Sequence, residues 1–147
     1  EALQPAVRDS VDFVITFEEL MGMVIAKDIE PSQIEADDSE ADGSETGRGY
    51  AASGGVAEAV KRRINEVDPE RKVDVENVEG LAECVKLMRI AKVGRKDGKL
   101  LEGMACVNGC IGGPGTLVSP ASARRQLKKF SEASPYHSPA DNEHLKD

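Results

Sequence analysis

The chain has no tryptophan, and aromatic side chains make up only 3% of its 147 residues. A core here must be built from Val, Ile, Leu, Ala and Met, which specify packing less sharply than aromatic rings do. Cysteine is scarce as well. Three residues, an odd number without a framework spacing, exclude a disulfide scaffold and suit a reducing, cytoplasmic compartment. No apolar run approaches the ~20 residues of a membrane span. Residues 1–10 carry charges and a proline where a secretory signal would be apolar. Positive charge is outweighed, with 19 Lys and Arg against 27 Asp and Glu and a net charge of −8. That balance argues against nucleic acid and against a membrane surface as partners.

What is present reads as alternating strands and helices. Val11, Phe13 and Ile15 alternate, which predicts a short strand over 11–15. Thr16, with Glu19 three positions on, forms a capping-box pattern ahead of a helix that runs to about Lys27. Residues 30–45 carry seven acidic side chains and no basic one, the mark of a solvated, mobile loop, taken here as 30–46. Further helices are expected from Val56 to about Val67, from Leu81 to about Val93, and from Ser119-Pro120 to about Ala133. Strands are expected at 72–78 and 100–105, with a turn at 96–99. Residues 134–147 are polar and proline-bearing and predict a disordered tail that holds both histidines, His137 and His144. The order implies an α/β fold, a parallel β-sheet with crossover helices over residues 1–133. In such sheets ligands sit beyond the carboxyl ends of strands.

The strand at 100–105 ends in Glu102-Gly103-Met104-Ala105-Cys106-Val107-Asn108-Gly109-Cys110-Ile111-Gly112-Gly113-Pro114-Gly115. Thiolate is the ligand that iron–sulfur clusters select, and glycine lets backbone approach an inorganic group closely. Taken alone, Cys106 and Cys110 fit a chance pair, a redox pair or a metal site equally well. Cys84 lies on an apolar helical face and reads as a small buried hydrophobe. Ser53 reads as a cap for the helix that follows it.

Three segments, in order, resemble the large subunit of iron-only (di-iron) hydrogenases. Met104-Ala105-Cys106-x-x-Gly109-Cys110-x-x-Gly113 is similar to that family's last cysteine motif, usually Met-Ala-Cys-Pro-Gly-Gly-Cys. Thr46 to Ala59, with Tyr50, Ser53, Gly54 and Gly55, resembles its Phe-Gly-Ala-Thr-Gly-Gly-Val-x-Glu-Ala stretch. Val11 to Leu20 is similar to its Val-Asp-x-Val-Leu-Thr-x-Arg-Glu-Leu. The resemblance runs from about residue 1 to about 132.

It implies one lobe of a hydrogenase catalytic domain that interconverts dihydrogen with protons and electrons, in anaerobic metabolism. The implied cofactor is a 4Fe–4S cluster joined to a di-iron subcluster. Cys106 and Cys110 would ligate the cubane, Cys110 also bridging to the di-iron unit. Met104 would wall that unit from solvent. Tyr50, where the family has Phe, and Ser53 would line the cofactor. The implied partners are an electron carrier such as ferredoxin and the remaining N-terminal part of the same chain, because Glu1 falls just after the family's second cysteine motif. This chain by itself is therefore expected to hold no intact cluster and to be inactive. Val107-Asn108 in place of Pro-Gly, and Ile-Gly-Gly-Pro-Gly-Thr in place of the glycine run, mark a divergent branch. Two other classes follow from that: a hydrogen- or redox-sensing relative, and a non-catalytic iron–sulfur assembly or scaffold protein.

Overall fold

A computed structural model describes residues 9–35 and 42–143. Where the sequence reads as one lobe over 1–133, its contacts group the residues into two compact units. The first holds described residues 9–35 together with Pro114–Leu117. Its helix α1, Phe17–Ala26, starts as the sequence predicts. The Glu19 amide donates to Thr16 Oγ1 at 3.2 Å, and the Thr16 amide donates to Glu19 Oε2 at 2.6 Å. No residue of α1 is buried. The predicted strand at 11–15 is irregular, with a bend at Asp12 and no ladder partner among the described residues, and Phe13 is 87% exposed. Alternation signals an extended chain; only a second row of backbone groups makes it a strand.

The second unit carries the sheet. Strands β1 (Asp74–Glu79) and β2 (Lys99–Met104) run parallel, with Asp74 opposite Lys99 and Glu79 opposite Met104. Helix α4 (Leu81–Lys92) makes the crossover between them and packs on both strands, as a parallel pair requires. Helix α3 (Gly55–Val67) packs against the same two strands, and α5 (Pro120–Glu132) closes the unit, with Ser119 as its N-cap and Pro120 in its first turn. The α/β class with parallel strands and helical crossover is what the sequence predicts. The sheet, however, has two strands among the described residues. Among the described residues the buried apolar core is small: Ala57, Ala59 and Leu87. Charge pairing supplements it at the strand starts. Lys99 Nζ lies 2.7 Å from Asp74 and 3.7 Å from Glu76, and Lys96 Nζ lies 2.6 Å from Glu76. Asp74 beside it holds the Lys99 ammonium above its ordinary range, and Lys99 and Lys96 in turn hold Asp74 and Glu76 below theirs.

Two expectations need correction: the disordered tail at 134–147, and the mobile acidic loop at 30–46, at whose end Ser44 to Thr46 are structured. Residues 134–143 are not a disordered tail. Ser134 Oγ donates to the Gly43 carbonyl at 2.7 Å, the Glu45 amide donates to the Tyr136 carbonyl at 2.7 Å, and Asn142 Nδ2 donates to the Asp42 carbonyl at 3.0 Å. Ser138 and Asn142 are among the most buried side chains described, at 2% and 1% exposure. This docking runs through polar bonds without apolar periodicity, so hydrophobic pattern could not announce it. Residues 144–147, His144 among them, lie outside the described residues. The receiving surface is the end of the acidic tract. Ser44 and Thr46 are buried, and Glu45–Arg48 forms a short helix, α2, capped by Ser44. Residues 36–41 of that tract lie outside the description. No helix among the described residues is long and apolar enough to cross a membrane.

Candidate metal centre

The site grows from the carboxyl end of β2. The Met104 carbonyl accepts the Gly80 amide at 2.8 Å and the Cys84 thiol at 3.4 Å, which ties the end of β2 to the start of α4. Cys84 is therefore half-buried and hydrogen-bonded, rather than the buried hydrophobe its helical position predicts. Past Ala105 the chain turns through Cys106–Gly109. The Gly109 amide donates to the Cys106 carbonyl at 3.1 Å, and the Gly113 amide to the Cys110 carbonyl at 3.0 Å. Asn108 and Gly109 both take positive φ, +69° and +79°. Cys106 is half-buried and Cys110 exposed, both as free thiols.

A second loop closes on the first. Ala52 and Gly109 form an antiparallel bridge, and the Ser53 amide donates to the Asn108 carbonyl at 3.3 Å. Only glycine serves at 109. A Cβ there would lie 2.6 Å from Ser53 N, 2.8 Å from the Ala51 carbonyl oxygen and 2.8 Å from Met104 Sδ. The same figures place the Met104 thioether against the cysteine turn. The structure thus brings Met104, Ser53, Cys106 and Cys110 into one cluster. Tyr50 sits in the 3₁₀ turn Gly49–Ala51 and lines a depression of about 400 Å³ with Ala59, Val60, Arg63, Pro139 and Ala140.

Two acidic residues that sequence reasoning passed over hold these loops. Glu102, on β2 and only 9% exposed, accepts the Gly54 amide on Oε1 at 3.0 Å and the Ala57 amide on Oε2 at 3.1 Å. It therefore fills the N-cap of α3, where Gly54 has no side chain to offer. The reading of Ser53 as that cap is corrected: its Oγ is buried and has no partner among the described residues. Glu79, the last residue of β1, accepts the Asn108 amide at 2.6 Å. A signal for Glu102 was available. A single carboxylate in the run Lys-Leu-Leu-Glu-Gly-Met, bound for the interior, must find donors.

Chemically, the cluster offers two soft anionic ligands once deprotonated, an apolar polarizable thioether beside them, and one buried hydroxyl with a hydrogen to give. That donor set fits a thiolate-held iron–sulfur group, with Cys106 and Cys110 as the residues that would hold it. It is also incomplete. Among the described residues no group of three His, Cys, Asp or Glu could hold a metal ion, and a cubane takes four protein ligands. Residues 1–114 match the family model described as iron only hydrogenase large subunit, C-terminal domain. No curated protein matches the chain. The match covers both loops of the cluster and the strand that carries them, so the chain belongs to the iron-only hydrogenase large subunit family, in its C-terminal domain.

Proposed function

We propose that this chain is the part of an iron-only hydrogenase that supplies two of the four thiolates of the catalytic cluster, in a protein that reversibly oxidises dihydrogen to protons and electrons. When bound, the iron–sulfur and di-iron group supplies the redox chemistry. This chain's own residues do the rest. Cys106 and Cys110 would hold the group, and Cys110 would serve both of its parts. Met104 excludes water without competing strongly as a ligand. Ser53 Oγ, buried and without a partner among the described residues, would be available to donate a hydrogen bond to a sulfur of the group, which would lower the electron density at the irons. Two thiolates are half of what a cubane takes, so the chain by itself is expected to bind no stoichiometric cluster and not to turn over. The electrons leave to a carrier such as ferredoxin.

The observation that carries this reading is the pair of thiols on a glycine-built turn at the carboxyl end of β2, inside the family match. Iron and sulfide analysis of the whole protein after cluster maturation, with infrared bands of diatomic ligands on iron, tests it. Iron–sulfur absorption together with those bands is the expected result. Iron–sulfur absorption without the bands favours the scaffold class. Bands with negligible turnover favour the sensory class, which the departure at Val107-Asn108 also suits.

A further inference from the structure

Asn108 is the pivot of the cysteine turn, two residues from each thiol. Its φ of +69° is one that residues other than glycine rarely adopt, although asparagine tolerates it better than most. Residue 107 is valine, so no pyrrolidine ring presets the backbone just before it. Something else must hold this conformation. Both backbone polar groups of Asn108 are engaged. Its carbonyl accepts the Ser53 amide at 3.3 Å, and its amide donates to Glu79 Oε2 at 2.6 Å. The second bond is the shorter, and its acceptor is a carboxylate, the stronger kind.

Glu79 is itself well anchored. It ends β1, opposite Met104 in the parallel register, and the next residue, Gly80, donates its amide to the Met104 carbonyl at 2.8 Å. The end of β1 therefore grips the end of β2 and, through one carboxylate, the turn that β2 delivers. We infer that Glu79 is a positioning residue: it fixes Asn108 in the left-handed conformation and so sets where the Cys106 and Cys110 thiols point. Its carboxylate is hydrogen-bonded to the Asn108 amide and to neither sulfur. Its role in cluster binding rests on the ligand reading above, whereas its effect on the thiols does not.

The test uses protein prepared without iron and measures the alkylation rates of all three cysteines, read out by mass. Cys84, bonded to the Met104 carbonyl, is the internal control. Glu79→Ala is expected to speed Cys106 and Cys110 by about tenfold relative to Cys84, the scale of losing one hydrogen bond to a charged group. Glu79→Gln keeps an acceptor at the same reach and is expected to stay within about twofold of the parent. Hydrogen exchange at the Asn108 amide should accelerate in Glu79→Ala alone. Unchanged rate ratios in Glu79→Ala, or an equal rise at all three cysteines, overturn the inference, since the latter reports general loosening. If the alanine protein does not fold, Glu79→Asp carries the test: it keeps the charge and shortens the reach, so the two loop thiols should speed up, and an unchanged ratio overturns the proposal. A wild-type protein that takes up no iron would instead count against the ligand reading and leave the thiol comparison standing.

Discussion

Glu102 Oε2 accepts the Ala57 amide at 3.1 Å, across 45 residues of sequence, so a carboxylate on a strand caps a helix that has no cap of its own. The same carboxylate takes the Gly54 amide and thereby fixes the end of the loop that bridges to Gly109. Removing it leaves one buried and one half-buried donor without that partner. Glu102→Ala is expected to destabilise the fold by about 2 kcal/mol, from a lost charged hydrogen bond and a lost charge at a helix N-terminus. Glu102→Gln should lose about half of that, since one acceptor remains. Urea unfolding checks both. A midpoint unmoved in Glu102→Ala would contradict the capping role.

Gly109→Ala is expected to open the cysteine turn. The new methyl meets Ser53 N, the Ala51 carbonyl and Met104 Sδ, all at 2.8 Å or less, at a φ of +79°. The conformation alone costs about 1–3 kcal/mol for a residue other than glycine. Gly49→Ala is the control, because a Cβ there meets nothing within 4 Å and φ is −73°. Thermal unfolding should separate the two, with a clear drop for Gly109→Ala and little change for Gly49→Ala.

The docking of residues 134–143 should weaken in acid. His137 Nδ1 lies 3.0 Å from Glu45 Oε2 and Arg62 Nη1 lies 3.3 Å from it, and the hydrogen bond from His137, then that from Arg62, holds the Glu45 carboxyl below its ordinary value. A carboxyl whose folded value is lowered contributes stability that is present above its unfolded value and lost as pH falls through the folded one. The loss therefore comes at and below the ordinary glutamate range, not near neutrality. Proteolysis within 134–143, followed against pH, should accelerate there. Glu45→Gln should remove that step and leave cleavage faster at all pH values. A wild-type profile flat through the acid range would refute the latch.

In the whole protein with cluster maturation supplied, Cys110→Ser is expected to abolish hydrogen evolution, and Met104→Leu to retain a measurable part of it. A serine oxygen is a poor ligand for soft iron. Leucine keeps the apolar volume of methionine at a folding cost usually under ~1.5 kcal/mol. Infrared bands of the iron-bound diatomic ligands separate failed insertion from failed turnover. Wild-type bands and turnover in Cys110→Ser would defeat the bridging assignment.

Local chemistry made much of this molecule legible from its residues. The Thr16–Glu19 box, the Ser119-Pro120 start and the apolar stripes of α3 and α4 each depend on neighbours within a turn or two, and each helix lies within a residue or so of its expected bounds. The cysteine turn is local as well, but its thiols and glycines alone leave a chance pair, a redox pair and a metal site open, and the metal reading comes from the resemblance of the flanking segments to the hydrogenase family. Tertiary structure alone decided what depends on long-range partners. The polar docking of 134–143 joins groups up to 100 residues apart. The choice of Glu102 over Ser53 as the cap of α3 rests on strand register bringing one carboxylate under two amides. The lack of a ladder partner for 11–15 among the described residues and the grip of Glu79 on Asn108 belong to the same class. A hydrogen bond needs its two atoms within about 3 Å, and side-chain pattern along a chain says which groups need partners, whereas only the folded backbone says which ones meet.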